Sequence, residues 1–430
     1  MKHINHPDKI AIITIPTSGH VHVLAKMARD IKKDLAHLYI KWIITSWPDY
    51  EINPKVKEII SSIGDEVIIL HGNTPQGLAI FERTYELTDE IIEQCRGYHY
   101  LVYDFLSPEG YIAGKALTIP AICTLPAIIG PFEPDDSDYQ NALKKSERVI
   151  QQLENKYAVK LKDKIQYISA ALSIQSDDLN LIFSWPNLIN IGQFRRNRES
   201  YTYEFMRSCL PAAINMSEIQ FLLDTISPEK KIIYFSLGTI AASINNNDLT
   251  DFFIYLYDCL IKDFGANDNI ASNYELILSF GDKTNQISSL RQVPSNFHIH
   301  SYIPQEALLQ SGRIDAFITH GGGNSTNEAI DSSVPMIVIP LMFDQHLCAE
   351  NISKSGIGIH FPYIGNEKPY FRESLHPGAL KNAVNDIISL SMYDQNIEKL
   401  RSVKPLPFTS LQNLLINNRF DRNTSSAANS

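Results

Sequence analysis

The sequence predicts an α/β protein made of two parallel-sheet domains, and three observations lead to that class. Short β-rich apolar runs alternate with stretches of helical period over most of the 430 residues, the pattern of a parallel sheet with crossover helices. The pattern begins near Ile10 and begins again near Lys231, which calls for two sheets rather than one long one. The length itself allows two or three domains of roughly 100–200 residues each.

In the first half, Ile10–Pro16 is β-rich and is followed by Gly19 and a helix-period stretch from about His20 to Ala36. Tyr39–Thr45, Val67–Leu70, Tyr100–Tyr103 and Ala121–Leu125 are further buried-strand candidates, and Asp135–Lys164 is polar and mostly helical in pattern. In the second half, Lys231–Ser236, Leu276–Phe280, Phe297–His300, Ala316–Thr319 and Met336–Ile339 are the strand candidates. The domain boundary is expected in the basic stretch Gly192–Ser200 or in the residues after it, to about Pro228. The expected division is therefore residues 1–200, 201–407, and a final 408–430 comprising a helix and a disordered polar tail.

Composition excludes several classes. Hydrophobic residues make up 44% and charged residues 20%, the balance of a globular chain with a sizeable core. A net charge of −10 argues against a nucleic-acid binder. The five cysteines, Cys95, Cys123, Cys209, Cys259 and Cys348, form no C-x-x-C pair, so neither a zinc site nor a disulfide framework is suggested, and scattered thiols fit a reducing compartment. The N-terminus lacks the apolar run of a secretory signal, and no stretch reaches the length of a membrane span. A cytoplasmic protein without an integral membrane segment is expected.

The most informative stretch is DAFITHGGGNSTNEAIDSSVPMIVIPLMFDQ. A β-run ends at His320, the glycines Gly321, Gly322 and Gly323 come next, and a helix pattern opens at Asn324 or Ser325. A strand, glycine turn and helix start let backbone amides and the positive end of a helix dipole approach a phosphate. A structural account competes with this one, because Ser325-x-x-Glu328 also reads as a capping box.

The wider segment, from Tyr302-Ile-Pro-Gln305 through His320-Gly-Gly-x-Asn324-Ser325-x-x-Glu328 and Val334-Pro335 to Asp344-Gln345, resembles the donor-binding signature of UDP-dependent glycosyltransferases of the GT-B fold. Bacterial macrolide-type and plant small-molecule enzymes are the most similar members. The resemblance spans some 44 positions, with weaker echoes at Tyr234–Thr239 and at two places in the first half. It implies GT-B architecture, two Rossmann-like domains facing across a cleft. It also implies roles: Tyr302 against the uracil, Gln305 near the base, His320, Asn324 and Ser325 on the diphosphate, and Glu328 on the ribose hydroxyls. Asp344 and Gln345 would hold the sugar, and Thr239 would approach the phosphates from another loop. Plant members carry tryptophan where Tyr302 and Gly323 stand. In those plant enzymes glutamine at the position of Gln345 goes with glucose, which favours UDP-glucose.

In the first half, Ile15-Pro16-Thr17-Ser18-Gly19-His20 places His20 at the end of the first strand, where the family carries a general base. His22 is the local competitor, and a solvated helix-start histidine is the structural alternative. Asp104 ends the run Tyr100–Tyr103 and is the carboxylate to fix the histidine's tautomer. Its alternative role is a helix N-cap, which Ser107 could fill instead. The mechanism implied is a single in-line displacement with inversion, with UDP-sugar as co-substrate, no cofactor and no metal; no D-x-D motif of the metal-dependent transferases adjoins the donor segment. Asp135-Asp136-Ser137-Asp138 reads as a solvated loop. The acceptor is expected to be a small, apolar molecule held by Leu70–Phe81 and Pro126–Tyr139, with Phe81, Ile128, Ile129 and Phe132 as its apolar contacts. The alternatives are a nucleotide-sugar epimerase of the same architecture and a non-catalytic nucleotide-sugar-binding protein. A dinucleotide-dependent oxidoreductase is set aside because the first turn lacks G-x-G-x-x-G spacing.

Overall fold

The computed structural model describes residues 9–75, 80–126, 137–168, 171–189, 202–207, 216–238, 247–266, 272–290, 292–342, 344–362 and 371–411. The chain forms two compact units. One contains Met1–Pro186, Asn190–Leu210 and Pro405–Ser430, and the other contains Asn187–Ile189 and Pro211–Lys404.

The first unit is organised by an eight-stranded sheet. Its strands are β1 (Lys9–Thr14), β2 (Tyr39–Ser46), β3 (Glu66–His71), β4 (Tyr100–Asp104), β5 (Ala121–Leu125), β8 (Leu179–Ile182), β9 (Tyr203–Arg207) and β16 (Leu406–Pro407). Their order is β16-β9-β8-β5-β4-β1-β2-β3, with every pair parallel. A short antiparallel hairpin, β6 (Ile165–Ile168) with β7 (Ala171–Ile174), lies outside this sheet. The inner strands are continuous β-branched and aromatic runs because both faces are covered: Ile10, Ile12, Ile40, Trp42, Ile44 and Val102 are buried together with Leu24 and Ala28 of the helix Ser18–Asp34. Trp42 is fully buried, and truncating such a residue to alanine typically costs about 3–5 kcal/mol. At the sheet's edge β3 alternates half-buried and exposed positions, as a strand open on one face does.

The second unit has a six-stranded parallel sheet of order β12-β11-β10-β13-β14-β15. Its strands are β10 (Lys231–Ser236), β11 (Tyr274–Ser279), β12 (Phe297–His300), β13 (Ile314–Thr319), β14 (Met336–Val338) and β15 (Gly358–His360). Phe235, Phe253, Tyr257 and Phe280 build its aromatic core, with Tyr257 and Phe253 edge-on to Phe280. In both sheets the chain begins in the middle, builds outward to one side, and then crosses to the other. That reversal falls between β1 and β4 in one sheet and between β10 and β13 in the other. Crevices at the carboxyl ends of such strands are where open α/β sheets bind ligands.

The division between Leu210 and Pro211 lies inside the window that runs to about Pro228, and the units differ from a cut at residues 200 and 407. Strand β9 (Tyr203–Arg207) pairs with β8 in the first sheet, so the first unit extends beyond residue 200. The chain also returns before 408, since Leu406 pairs with Met206 and Phe408 packs edge-on against Phe183 at 5.1 Å. A two-residue strand and a charged five-residue one carry too little periodicity to be read locally. Of the helix expected within 408–430, the described residues include a 3-10 turn, Phe408–Ser410; residues 412–430 lie outside the described residues.

Candidate active site

In the first unit, β1 and β4 are adjacent parallel strands, so the turns at their carboxyl ends meet in space. His20 stands in the first turn of the helix Ser18–Asp34, and its Nδ1 lies 2.6 Å from Asp104 Oδ2. Asp104 is fully buried while the His20 side chain is 19% exposed, so the carboxylate sits behind the ring and the ring faces outward. An ionised carboxylate can only accept, which places the proton on Nδ1 and makes Nε2 the basic nitrogen. The other carboxylate oxygen, Oδ1, accepts from the Leu106 N–H at 2.9 Å. The ring stacks on Phe105, with centroids 5.7 Å apart and planes 19° from parallel. His22 is exposed, and no carboxylate bonds it among the described residues.

Both helix-capping alternatives fail here. The helix after β4 begins at Glu109 behind Pro108, with no side-chain cap. Ser107 Oγ lies instead 3.2 Å from Thr45 Oγ1.

In the second unit, β13 ends at Thr319 and the helix Gly323–Asp331 begins four residues later, its N-cap being Gly322 with no side-chain cap. Ser325 therefore lies inside the helix and makes no capping box. It joins a different network: Gln305 Nε2 donates to Ser325 Oγ at 3.1 Å and to Glu328 Oε2 at 2.7 Å, while Gln305 Oε1 accepts from the Tyr234 hydroxyl at 3.2 Å. Tyr234 is buried and stacks on Phe317 at 4.8 Å.

His320 lies in the turn between β13 and this helix. A Cβ at Gly322 would come 2.4 Å from His320 Nε2, and one at Gly238, which has φ 81°, 2.6 Å from His320 Cε1, so a side chain at either position would displace this ring. Gly321 has φ 82°, in the region that favours glycine. His320 Nδ1 is buried without a hydrogen-bond partner, and burial pushes the ring's pKa down to about 4. The imidazole is therefore neutral near pH 7 and carries one N–H to donate.

Tyr302 comes two residues after β12 and is 60% exposed. Asn324 is in the first helical turn, half-buried, as are Gly323 and Glu328. Asp344 is the N-cap residue of the helix Gln345–Lys354 and makes no capping bond. Gln345 is buried, and its Oε1 accepts from the N–H groups of Leu341 and Met342 at 2.8 and 3.0 Å. Two backbone donors fix that oxygen, so Gln345 can offer a sugar only its amide nitrogen. The Gln305 amide is likewise held by protein groups rather than left for a base. Thr239 lies outside the described residues, as do Ile128, Ile129 and Phe132. Phe81 is a fully buried core residue, not an acceptor contact. Among the described residues no group of three or more His, Cys, Asp or Glu is arranged to hold a metal, and no helix is long and apolar enough to cross a membrane.

Residues 269–410 match the family model of UDP-glucuronosyl and UDP-glucosyl transferases, a span that contains His320, Gln305, Ser325 and Glu328. The NDP-glycosyltransferase YjiC of Bacillus subtilis is 27% identical over 291 residues, 67% of this chain and 64% of that protein. An uncharacterized UDP-glucosyltransferase of the same organism, YdhE, is 25% identical over 347 residues, 77% of this chain and 78% of its own. The chain thus spans just under two thirds of the length of the first relative and more of the second. Among solved structures, the glycosyltransferase of kitacinnamycin superposes with a TM-score of 0.67 at 18% identity, covering 96% of this chain and 99% of that one. At that identity the likeness establishes the fold. The fold is thus that of the GT-B glycosyltransferases. Within that fold, residues 269–410 carry the part of the chain that is similar to UDP-glucuronosyl and UDP-glucosyl transferases.

Proposed function

We propose that this protein is an inverting, metal-independent hexosyltransferase that moves glucose from UDP-glucose to a hydroxyl of a small, apolar acceptor, with His20 as general base and Asp104 as its support. The observation that carries the catalytic part is the 2.6 Å contact between His20 Nδ1 and the buried Asp104 carboxylate. A base is required because a hydroxyl oxygen attacks well only as its proton leaves.

In the reaction, the acceptor oxygen bonds to the anomeric carbon while the bond from that carbon to the β-phosphate oxygen breaks. The acceptor proton passes to His20 Nε2, and Asp104 stabilises the resulting imidazolium. UDP leaves with the bonding electron pair. The amides opening the helix Gly323–Asp331 and the neutral His320 N–H supply the charge stabilisation that a divalent ion supplies elsewhere. A single displacement inverts the anomeric configuration. Glu328 takes the ribose hydroxyls, a role suited to a carboxylate, and Tyr302 offers the base a π-face. Asp344 and the amide nitrogen of Gln345 serve the sugar, with Asn324 and Thr239 near the diphosphate. Ser325 and Gln305 serve by orienting Glu328. No cofactor is needed. Support for a cytoplasmic location comes from Cys95, Cys123, Cys259 and Cys348, all free and buried.

The test is product analysis with UDP-glucose over phenolic, macrolide and sterol acceptors, with and without a chelator. Release of UDP together with a β-glucoside, unaffected by the chelator, is the expected result. Conversion of the UDP-sugar without UDP release would replace the transferase with an isomerase. Tight UDP binding with no turnover on any acceptor would leave a binding protein.

A further inference from the structure

We propose that Arg83 is a positioning residue for the His20–Asp104 pair, acting through the peptide of Leu106; the inference rests on the reading of that pair as the reaction's base. Arg83 lies in the helix Ile80–Gln94 and is fully buried. Its Nη2 donates to the Leu106 carbonyl oxygen and lies 3.4 Å from Glu109 Oε1. The same Leu106 residue donates its N–H to Asp104 Oδ1, and Asp104 Oδ2 meets His20. Leu106 is thus gripped on both sides, by a guanidinium at its carbonyl and by the supporting carboxylate at its amide.

The energetics make a packing role insufficient. Arg83 Nε and Nη1 are buried with no hydrogen-bond partner, and a desolvated cation with unmet donors is costly. Its carboxylate partner Glu109 is itself fully buried, and such pairs are often no more stable than apolar residues of the same volume. The Trp47 ring, 5.1 Å from the guanidinium carbon, would accept a methionine equally well. What an apolar side chain could not do is hold the Leu106 carbonyl. Backbone bonds hold Phe105 and Ser107 in the segment between β4 and Glu109, Phe105 N–H to the Thr124 carbonyl and Ser107 N–H to the Asp104 carbonyl, and Arg83 takes the Leu106 carbonyl between them. Thr84 Oγ1, one residue on, donates to Glu109 Oε2 at 2.9 Å, so one turn of the Ile80–Gln94 helix holds both ends of the segment.

The test uses the full-length chain as wild type, Arg83→Met, Arg83→Lys and Asp104→Asn. The pH midpoint of His20 acylation by diethyl pyrocarbonate is read by peptide mass spectrometry. This readout needs no donor, acceptor or turnover, so a failure of the glycosyl-transfer reading appears in the wild-type activity assay and not here. A neighbouring carboxylate favours the protonated ring, so the Asp104→Asn midpoint falls. Arg83→Met is expected to fall in the same direction by at least half as much, with Arg83→Lys between it and wild type. With turnover in hand, kcat of Arg83→Met falls about tenfold to a hundredfold, the scale of a small misplacement, while KM for UDP-glucose stays. A wild-type midpoint in Arg83→Met accompanied by a lower melting temperature would overturn the proposal and leave a structural ion pair. Should Arg83→Met fail to fold, Arg83→Lys decides alike, since lysine keeps the charge but loses the planar fork.

Discussion

The two units carry their proposed functional groups at the same topological place and hold them differently. In each sheet the groups lie at or just beyond the carboxyl ends of the strands flanking the reversal of strand order: His20 and Asp104 after β1 and at the end of β4, Gly238 and His320 after β10 and β13. In the first unit the polar groups bond to one another, in a continuous run from Arg83 through Leu106 and Asp104 to His20. In the second, His320 Nδ1 is buried without a partner and Tyr302 stands 60% exposed. Proton transfer profits from a base oriented before the substrate arrives, because no reorganisation is then needed at the moment of reaction. Recognition of an anionic ligand requires a donor that the protein does not itself consume, and among the second unit's bonded amides, Gln305 and Gln345, the unbonded His320 Nδ1 is the exception.

That contrast can be broken at either end. The largest effect is expected from Asp104→Asn, which keeps the volume but removes the carboxylate; kcat should fall about 10²–10⁴-fold, with UDP affinity by calorimetry within about twofold of wild type, a margin of roughly 0.4 kcal/mol. A comparable loss of UDP binding would mean that the two preparations are not separate. Glu328→Ala should act in reverse, weakening UDP binding about tenfold to a hundredfold, the worth of a hydrogen bond to a charged group, while the pH dependence of His20 acylation stays that of the wild type. Tyr302→Ala is expected to be milder, about threefold to tenfold in UDP affinity, because an exposed stacking face contributes roughly 0.5–1.5 kcal/mol.

The smallest effect is one of stability against pH. Folded His320 has its pKa pushed down to about 4 by burial, against 6.5 for the unperturbed group. Between those values the unfolded chain binds more protons, so the contribution is fully present above about pH 6.5 and is lost as pH falls toward 4. Urea midpoints at pH 7 and pH 4.5 should converge in His320→Asn relative to wild type. An unchanged difference would mean that another group sets the slope.

The second unit is more fully legible in the sequence than the first. Lys231–Ser236 and Phe297–His300 are strands with the expected limits, since β-branched and aromatic runs bounded by turns leave little freedom. Strands β9, β15 and β16 have five, three and two residues and borrow their stability from neighbours, so no local pattern marks them. The same distinction holds within the sites. Asp104 closes a strand that can be read and His20 stands in the first helical turn after another, and their meeting results from parallel pairing of β1 with β4. The pattern Ser325-x-x-Glu328 suggests a capping box, yet the helix starts two residues before Ser325, and its partner is Gln305, 20 positions away. The family resemblance assigns Gln305 and Gln345 to ligand, but what their carbonyls and amides bond depends on neighbours that only tertiary contact supplies. Arg83 carries no signal at all, because a single arginine on an amphipathic helix reads as a solvated face.

The central claim is that His20 takes the acceptor's proton while the other unit holds the donor. The most direct measurement is the single-turnover rate of UDP release from UDP-glucose with a reactive acceptor, comparing His20→Ala with wild type at saturating donor. The account predicts a fall of at least about a hundredfold, the lower bound for losing a general base, with the affinity for UDP unchanged and His22→Ala retaining wild-type turnover. Equal rates in His20→Ala and wild type would contradict it and remove the His20–Asp104 pair from the chemistry.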